Sequence, residues 1–183
     1  MALDLRTDLF EACQQISPRH LDYASVPIED GFDWSSLSCC PFERLYLVVF
    51  RSVWRPEADL DLLRELDDRA YEEAKKAGGL LRYFNGHANE RGECLSYCLW
   101  ETREQAIKAA GAPAHRSATR VTAQMYLSYV LERYWLRKDA EKLILERTES
   151  DWKRVEDPLP IARSAISSQL SATKSRKLRA DRR

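Results

Sequence analysis

Residues 94–116 read CLSYCLWETREQAIKAAGAPAHR, and the way this stretch divides decides the fold. Residues 94–100 alternate in character up to Trp100, the two-residue period of a strand. Good helix formers then run over 102–111 and stop before Pro113, where a second helical piece starts and carries His115 in its first turn.

Upstream, residues 45–53 (LYLVVFRSV) are continuously apolar and β-branched, which predicts a strand buried on both sides at its start. After Pro56 the spacing of Leu60, Leu63, Leu66, Ala70 and Ala74 predicts a helix through about residue 77, halted by Gly78-Gly79. Residues 80–85 (LLRYFN) read as the next strand. The GHANERG segment joining it to the strand ending at Trp100 is too short for a crossover, so those two strands must form an antiparallel hairpin. Residues 126–136 (YLSYVLERYWL) alternate again and supply the last strand.

The order strand–helix–strand, hairpin, helix–strand over 45–137 is a βαββαβ pattern. It predicts an α+β, ferredoxin-like domain with a four-stranded antiparallel sheet and helices on one face. The opposite face carries Tyr, Trp, Phe and Leu side chains that a monomer does not leave in water. It is expected to be covered by residues 1–44 together with an added C-terminal helix, or by a second copy of the chain. Within 1–44, residues 3–16 suit a short amphipathic helix (Leu5, Leu9, Phe10, Cys13). Residues 17–43 read as irregular, with Phe32, Trp34, Leu37 and Phe42 packing over the domain. Leu143, Leu145, Trp152 and Val155 place the added helix within 138–157. The remaining 158–183 turn to Ser, Ala, Lys and Arg and are expected to be disordered from about 165.

Composition narrows the function. The 183 residues are 44% hydrophobic and 32% charged with formal net charge zero, yet the last ten residues hold six Lys/Arg and one Asp. The body of the chain is therefore acidic, which argues against nucleic acid as the main ligand. No apolar run reaches membrane-span length and the N-terminus lacks a signal core, so membrane association is not expected and a cytoplasmic location is. The basic tail also suits nuclear import. Five Trp and eight Tyr favour cores and ligand pockets. The five cysteines are an odd number, and Cys94 and Cys98 share one strand face in place of a metal knuckle, so free thiols are expected and no metal site. Nothing basic or helical surrounds Cys39-Cys40 to lower a thiol pKa. The pair His87 and Glu90 in the hairpin loop needs further ligands before it can hold a metal.

The run LWETREQAIKAAGAPAHR after an alternating strand resembles the dimeric α/β-barrel superfamily, in particular antibiotic-biosynthesis-monooxygenase-like domains. Such chains leave the third strand through an aromatic–acidic pair, here Trp100-Glu101, and reach a helix break and a histidine, here His115. NGHANERGECLSYCLWETREQA is similar to an uncharacterised fungal family of this fold, more so than to any characterised enzyme. The resemblance, which covers about half the chain, implies a homodimer closing a barrel and a small hydrophobic or aromatic ligand between sheet and helices. It implies cofactor-independent oxygenase, cyclase, isomerase or decarboxylase chemistry on an enolisable aromatic or polyketide-like substrate. The haem-degrading branch needs an Asn on the first strand and a Trp on the second helix. Residues 45–53 hold no Asn and 101–114 no Trp.

The expected catalytic residues are His115, Tyr97 and Tyr83. A histidine at a helix start is kept neutral by the dipole and suits a general base or a haem ligand; equally, it suits a surface contact to a carbonyl. Strand tyrosines offer hydroxyls to a developing enolate, or are core aromatics with satisfied hydroxyls. Trp100, Phe50, Tyr129, Arg51 and Trp34 are the expected substrate-binding residues, with Arg51 set to meet an anionic group or to pair with an acid. No cofactor is expected, with haem through His115 as the alternative. A non-catalytic ligand-binding or scaffolding dimer, its pocket filled by Trp34 or Phe32, is the third reading.

Overall fold

The computed structural model describes residues 5–139, 142–148 and 153–154. The chain begins with α1 (Leu5–Gln14), β1 (Ser17–Pro18), α2 (Ile28–Gly31), β2 (Phe32–Asp33) and a 3₁₀ turn at Ser35–Leu37. The domain proper follows as β3 (Arg44–Trp54), α3 (Leu60–Ala77), β4 (Leu80–Phe84), β5 (Glu93–Trp100), α4 (Arg103–Ala110), α5 (Pro113–Met125) and β6 (Tyr126–Asp139). It continues into β7 (Lys142–Arg147) and β8 (Lys153–Arg154).

Local chemistry sets the element ends. Asp59 caps α3 by accepting the Leu62 N–H at 2.9 Å, and Gly78 and Gly79 end that helix at φ 82° and 76°. A side chain at Gly79 would also collide with Gln105. Thr102 and Gln105 cap α4 reciprocally, and Pro113 opens α5, where its missing N–H costs nothing.

The sheet runs β4–β5–β3–β6–β7, with β8 also paired to β6, and every pairing is antiparallel. The order of the central four is that of the ferredoxin-like βαββαβ fold. Helices α3, α4 and α5 lie on one side. Two differences from the expected four strands share a cause. Where an added helix was expected, β6 extends to Asp139 and Lys142–Arg147 is a strand. Leu143 and Leu145 recur every second residue, not every third or fourth, and both pack into the core under the N-terminal segment. The other residues expected in that helix, and the basic tail, lie outside the described residues.

Strand parity divides the molecule into two cores. Leu45, Leu47 and Val49 of β3, Leu95, Tyr97 and Leu99 of β5, and Tyr134 and Leu136 of β6 face the N-terminal segment. There Cys13, Ile16, Ile28, Phe32, Trp34 and Leu37 cover them, all but Trp34 with no exposed surface. Of the two covers expected for this face, the chain's own N-terminus is the one present. Pairing of two copies through this face would require that segment to leave.

Three cations pin the segment by donating to its main-chain carbonyls. Arg51 reaches Ala24 (2.7 Å) and Val26 (2.8 Å), Arg82 reaches Gln14 (2.8 Å), and Lys138 reaches Ser38 (2.7 Å) and Cys40. The opposite parity, Tyr46, Val48 and Trp100, packs against Ala106 and Ala109 of α4 in a smaller core. No residue of α3 is buried.

Candidate functional site

A helix of 18 residues with a continuous apolar stripe normally buries that stripe. In α3 the stripe lines a cavity of about 710 Å³ between the helix layer and the sheet. Leu60, Leu63, Leu66, Ala70 and Ala74 all border it, which makes the cavity about 20 Å long at the rise of an α-helix. Its floor is the second parity of the strands: Val48, Phe50 and Ser52, then Ser96, Cys98 and Trp100, then Tyr129, Leu131 and Arg133. Helix α5 closes one side with His115, Val121 and Thr122.

Five of the eight expected residues meet here: His115, Tyr83, Trp100, Phe50 and Tyr129. The other three are corrected to the opposite face. Tyr97 sits wholly buried among Phe32, Trp34 and Phe84, with ring centroids 5.1, 5.7 and 5.4 Å away. Trp34 is in the same core and donates its indole N–H to the Ile28 carbonyl at 3.2 Å. Arg51 faces the N-terminal segment, pairs with Glu132 at 3.2 Å and does not border the cavity. Parity already separates these positions: Tyr97 lies an odd number of residues from Trp100, and Arg51 adjoins Phe50. Trp34 and Phe32 therefore plug the other face and leave the cavity open.

The residue that sequence reading missed is Asp67. It occupies a stripe position of α3 between Leu63 and Ala70, where an apolar residue would be expected. Its Oδ1 accepts the Tyr83 hydroxyl at 2.5 Å and its Oδ2 accepts the Asn85 side-chain N–H at 3.0 Å. Burial raises the Asp67 pKa above its ordinary value, and the Tyr83 hydrogen bond offsets only part of that. Burial and the Asp67 charge together push the Tyr83 phenol far up. Tyr126 is raised to about 12 and Tyr129 further, chiefly by burial. Cys94, raised to about 11 by burial, stays a thiol, and so does Cys98.

His115 is half-buried on the wall. Burial lowers its pKa and Glu73 partly restores it, so the imidazole is neutral at physiological pH. Glu73 also accepts the Ala114 backbone N–H at 2.7 Å and so ties the start of α5 to α3. It lies six residues along α3 from Asp67, about 9 Å of helix. The cavity thus holds two acid–base groups in different places.

A haem held through His115 would share the cavity with the Asp67 carboxylate, which accepts only from neutral donors, while Arg64, Arg103 and Arg133 also border the cavity. Among the described residues no group of three or more His, Cys, Asp or Glu is placed to hold a metal ion. None of the described helices is long and apolar enough to cross a membrane.

Comparison with known proteins adds sequence kinship to this geometry. UPF0643 protein PB2B2.08 of Schizosaccharomyces pombe is 28% identical over 132 residues, 62% of this chain and 60% of that protein. The chain thus spans about 60% of that relative's length. Among solved structures, Rv0793 from Mycobacterium tuberculosis is similar over 49% of this chain and 91% of its own, at 18% identity and TM-score 0.43. SnoaB, a cofactor-independent oxygenase from Streptomyces nogalater, is similar over 54% of this chain and 95% of its own, at 9% identity and TM-score 0.41. Residues 2–147 match the PB2B2.08-like family, and the chain belongs to it.

Proposed function

We propose that this protein is a cofactor-independent enzyme that takes an apolar, enolisable aromatic molecule into the cavity under α3 and acts on it by general acid–base catalysis. The observation that carries this reading is that α3, strongly amphipathic, fully buries none of its side chains and turns its apolar stripe onto an open cavity. An apolar guest completes the burial that the chain itself leaves undone. Among its polar groups the cavity holds neutral His115 at the α5 side and the Tyr83–Asp67 pair at mid-length. That combination suits proton transfer on an apolar substrate out of water. Trp100, Phe50 and Tyr129 supply flat contact surface on the floor.

Anthrone, an enolisable aromatic ketone, tests the reading. Its turnover should be followed in the ultraviolet with the full chain, with Ala70→Trp, which fills the cavity from α3, and with His115→Ala. Turnover by the wild type that Ala70→Trp abolishes and His115→Ala slows about tenfold or more fits the proposal. Turnover undiminished in both variants removes the cavity as the site.

A further inference from the structure

Asp67 accepts two side-chain hydrogen bonds facing the cavity and pairs with no cation, unlike four other carboxylates of the chain. Glu132 is paired with Arg51, Glu93 with Arg91, Glu101 with Arg6 and Asp61 with Arg64. Asp67 accepts only from a phenol and an amide. The groups facing it are Asp68 on its own helix, Tyr83 on β4, Cys94 and Cys98 on β5, and Tyr126 and Tyr129 on β6. The thiols and phenols among these are neutral at physiological pH, and Arg64, Arg103 and Arg133 border the same cavity without pairing with Asp67. A partly buried carboxylate with no cation paired to it costs stability, and such groups concentrate where proton transfer is done.

The carboxylate is also aimed. Ser96 Oγ donates to Asn85 Oδ1 at 3.2 Å, Asn85 donates to one Asp67 oxygen, and Tyr83 donates to the other. Both oxygens are thereby fixed, each with a lone pair to spare. Beside them, the hydroxyls of Tyr126 and Tyr129 border the same cavity and hydrogen-bond to none of the described residues, while the Asp67 charge reaches both phenols. Partly buried hydroxyl donors without a protein acceptor call for an acceptor on the ligand.

On the reading of a small-molecule enzyme given above, we propose that Asp67 is the catalytic residue that takes and returns a proton on carbon, and that the substrate is an apolar ketone with an acidic C–H beside its carbonyl. Asp67 removes the α-proton. The C–H electron pair becomes the C=C of the enolate, and the carbonyl π pair moves to oxygen, which accepts the Tyr129 hydroxyl hydrogen bond. Asp67, now a neutral acid, returns the proton to the same carbon or to the far end of a conjugated enolate, and the carbonyl re-forms. The net change is a proton shift that consumes no oxidant. Tyr83 and Asn85 are positioning residues.

The test uses 2-tetralone in D₂O with the full chain. Loss of the α-proton signal is followed by NMR, and binding is followed on the same sample by saturation transfer. Wild type should accelerate exchange over buffer. Asp67→Asn, which keeps shape and fold, should bind 2-tetralone yet lose about 100-fold or more of the exchange rate, and Asp67→Glu should recover part of it. Tyr83→Phe should leave binding intact and move the pH at which exchange switches on, which a merely structural role would not do. Tyr97→Phe, on the opposite face, should match wild type. Binding without accelerated exchange by the wild type, or full exchange by Asp67→Asn, overturns the assignment while the ligand cavity stands. No binding at all overturns the cavity reading and this proposal with it.

Discussion

Arg51 Nε lies 3.2 Å from Glu132 Oε1 across the β3–β6 pair, while the same guanidinium donates to the carbonyls of Ala24 and Val26. One side chain thus joins two strands to the segment that covers them. Both partners are largely buried, at 20% and 12% side-chain exposure. Arg51→Met should therefore lower unfolding free energy by about 2–3 kcal/mol, because Glu132 and two carbonyls lose their donor. Arg51→Lys should recover only part, since an ammonium cannot span three acceptors in a plane. Urea denaturation of the three proteins measures this, and an unchanged midpoint in Arg51→Met contradicts the role.

Phe32 is the centre of the aromatic cluster under the N-terminal segment, with Tyr23, Trp34, Phe84 and Tyr97 rings all within 6.1 Å of its own. It is wholly buried, so Phe32→Ala should cost about 3–5 kcal/mol. The cavity lies on the other side of the sheet, so whatever protein remains folded should bind an apolar probe such as N-phenyl-1-naphthylamine as the wild type does. Denaturant melts and fluorescence titration separate the two effects. Equal loss of stability and of probe affinity per folded molecule would join the two faces that strand parity divides.

Much of this was legible from periods of two and of three to four residues. The βαββαβ order, the hairpin and the β5–α4–α5 passage follow from such spacing because each element buries one face. Tyr97 and Arg51 were misplaced although their parity was readable, because a tyrosine or arginine on a strand attracts attention by chemistry and not by the face it occupies. Asp67 was hidden for the opposite reason. An acid next to another acid on a charged helix looks solvated, and only its place in the Leu60–Leu63–Ala70–Ala74 stripe marks it as inward. The β7 strand was misread because Leu143 and Leu145 are too few to separate a period of two from one of 3.6, and what decided between them was the need of β6 for a partner.

Burial lowers the His115 pKa below its ordinary 6.5 and raises that of Asp67 above its ordinary 3.8. The two act on stability with opposite sign. The folded chain disfavours the charged imidazole, so the His115 contribution is complete above 6.5 and is lost as pH falls through the folded value. The folded chain holds the Asp67 proton more tightly, so that contribution is complete below 3.8 and is lost as pH rises through its folded value. His115→Gln should therefore flatten the fall in Tm between about pH 7 and pH 5. Asp67→Asn should raise Tm more at about pH 7 than at about pH 4. Thermal melts across that range decide it; a Tm gain for Asp67→Asn larger at the acid end contradicts the sign.

Because α3 fully buries none of its side chains, adding apolar volume to its inner stripe should stabilise the protein, where the same change in a filled core would strain it. Ala74 faces the smaller core and the cavity together. Ala74→Leu adds three carbons that would leave water on that side, worth up to about 2.4 kcal/mol at the usual transfer value per carbon. The gain comes at the expense of the guest, since the new side chain occupies space that a ligand would fill. The expected signature is a higher Tm without ligand together with weaker binding of N-phenyl-1-naphthylamine, two changes that a packing defect elsewhere would not couple in this direction. A lower Tm for Ala74→Leu would mean that α3 is already close-packed on the sheet, and the cavity reading would go with it.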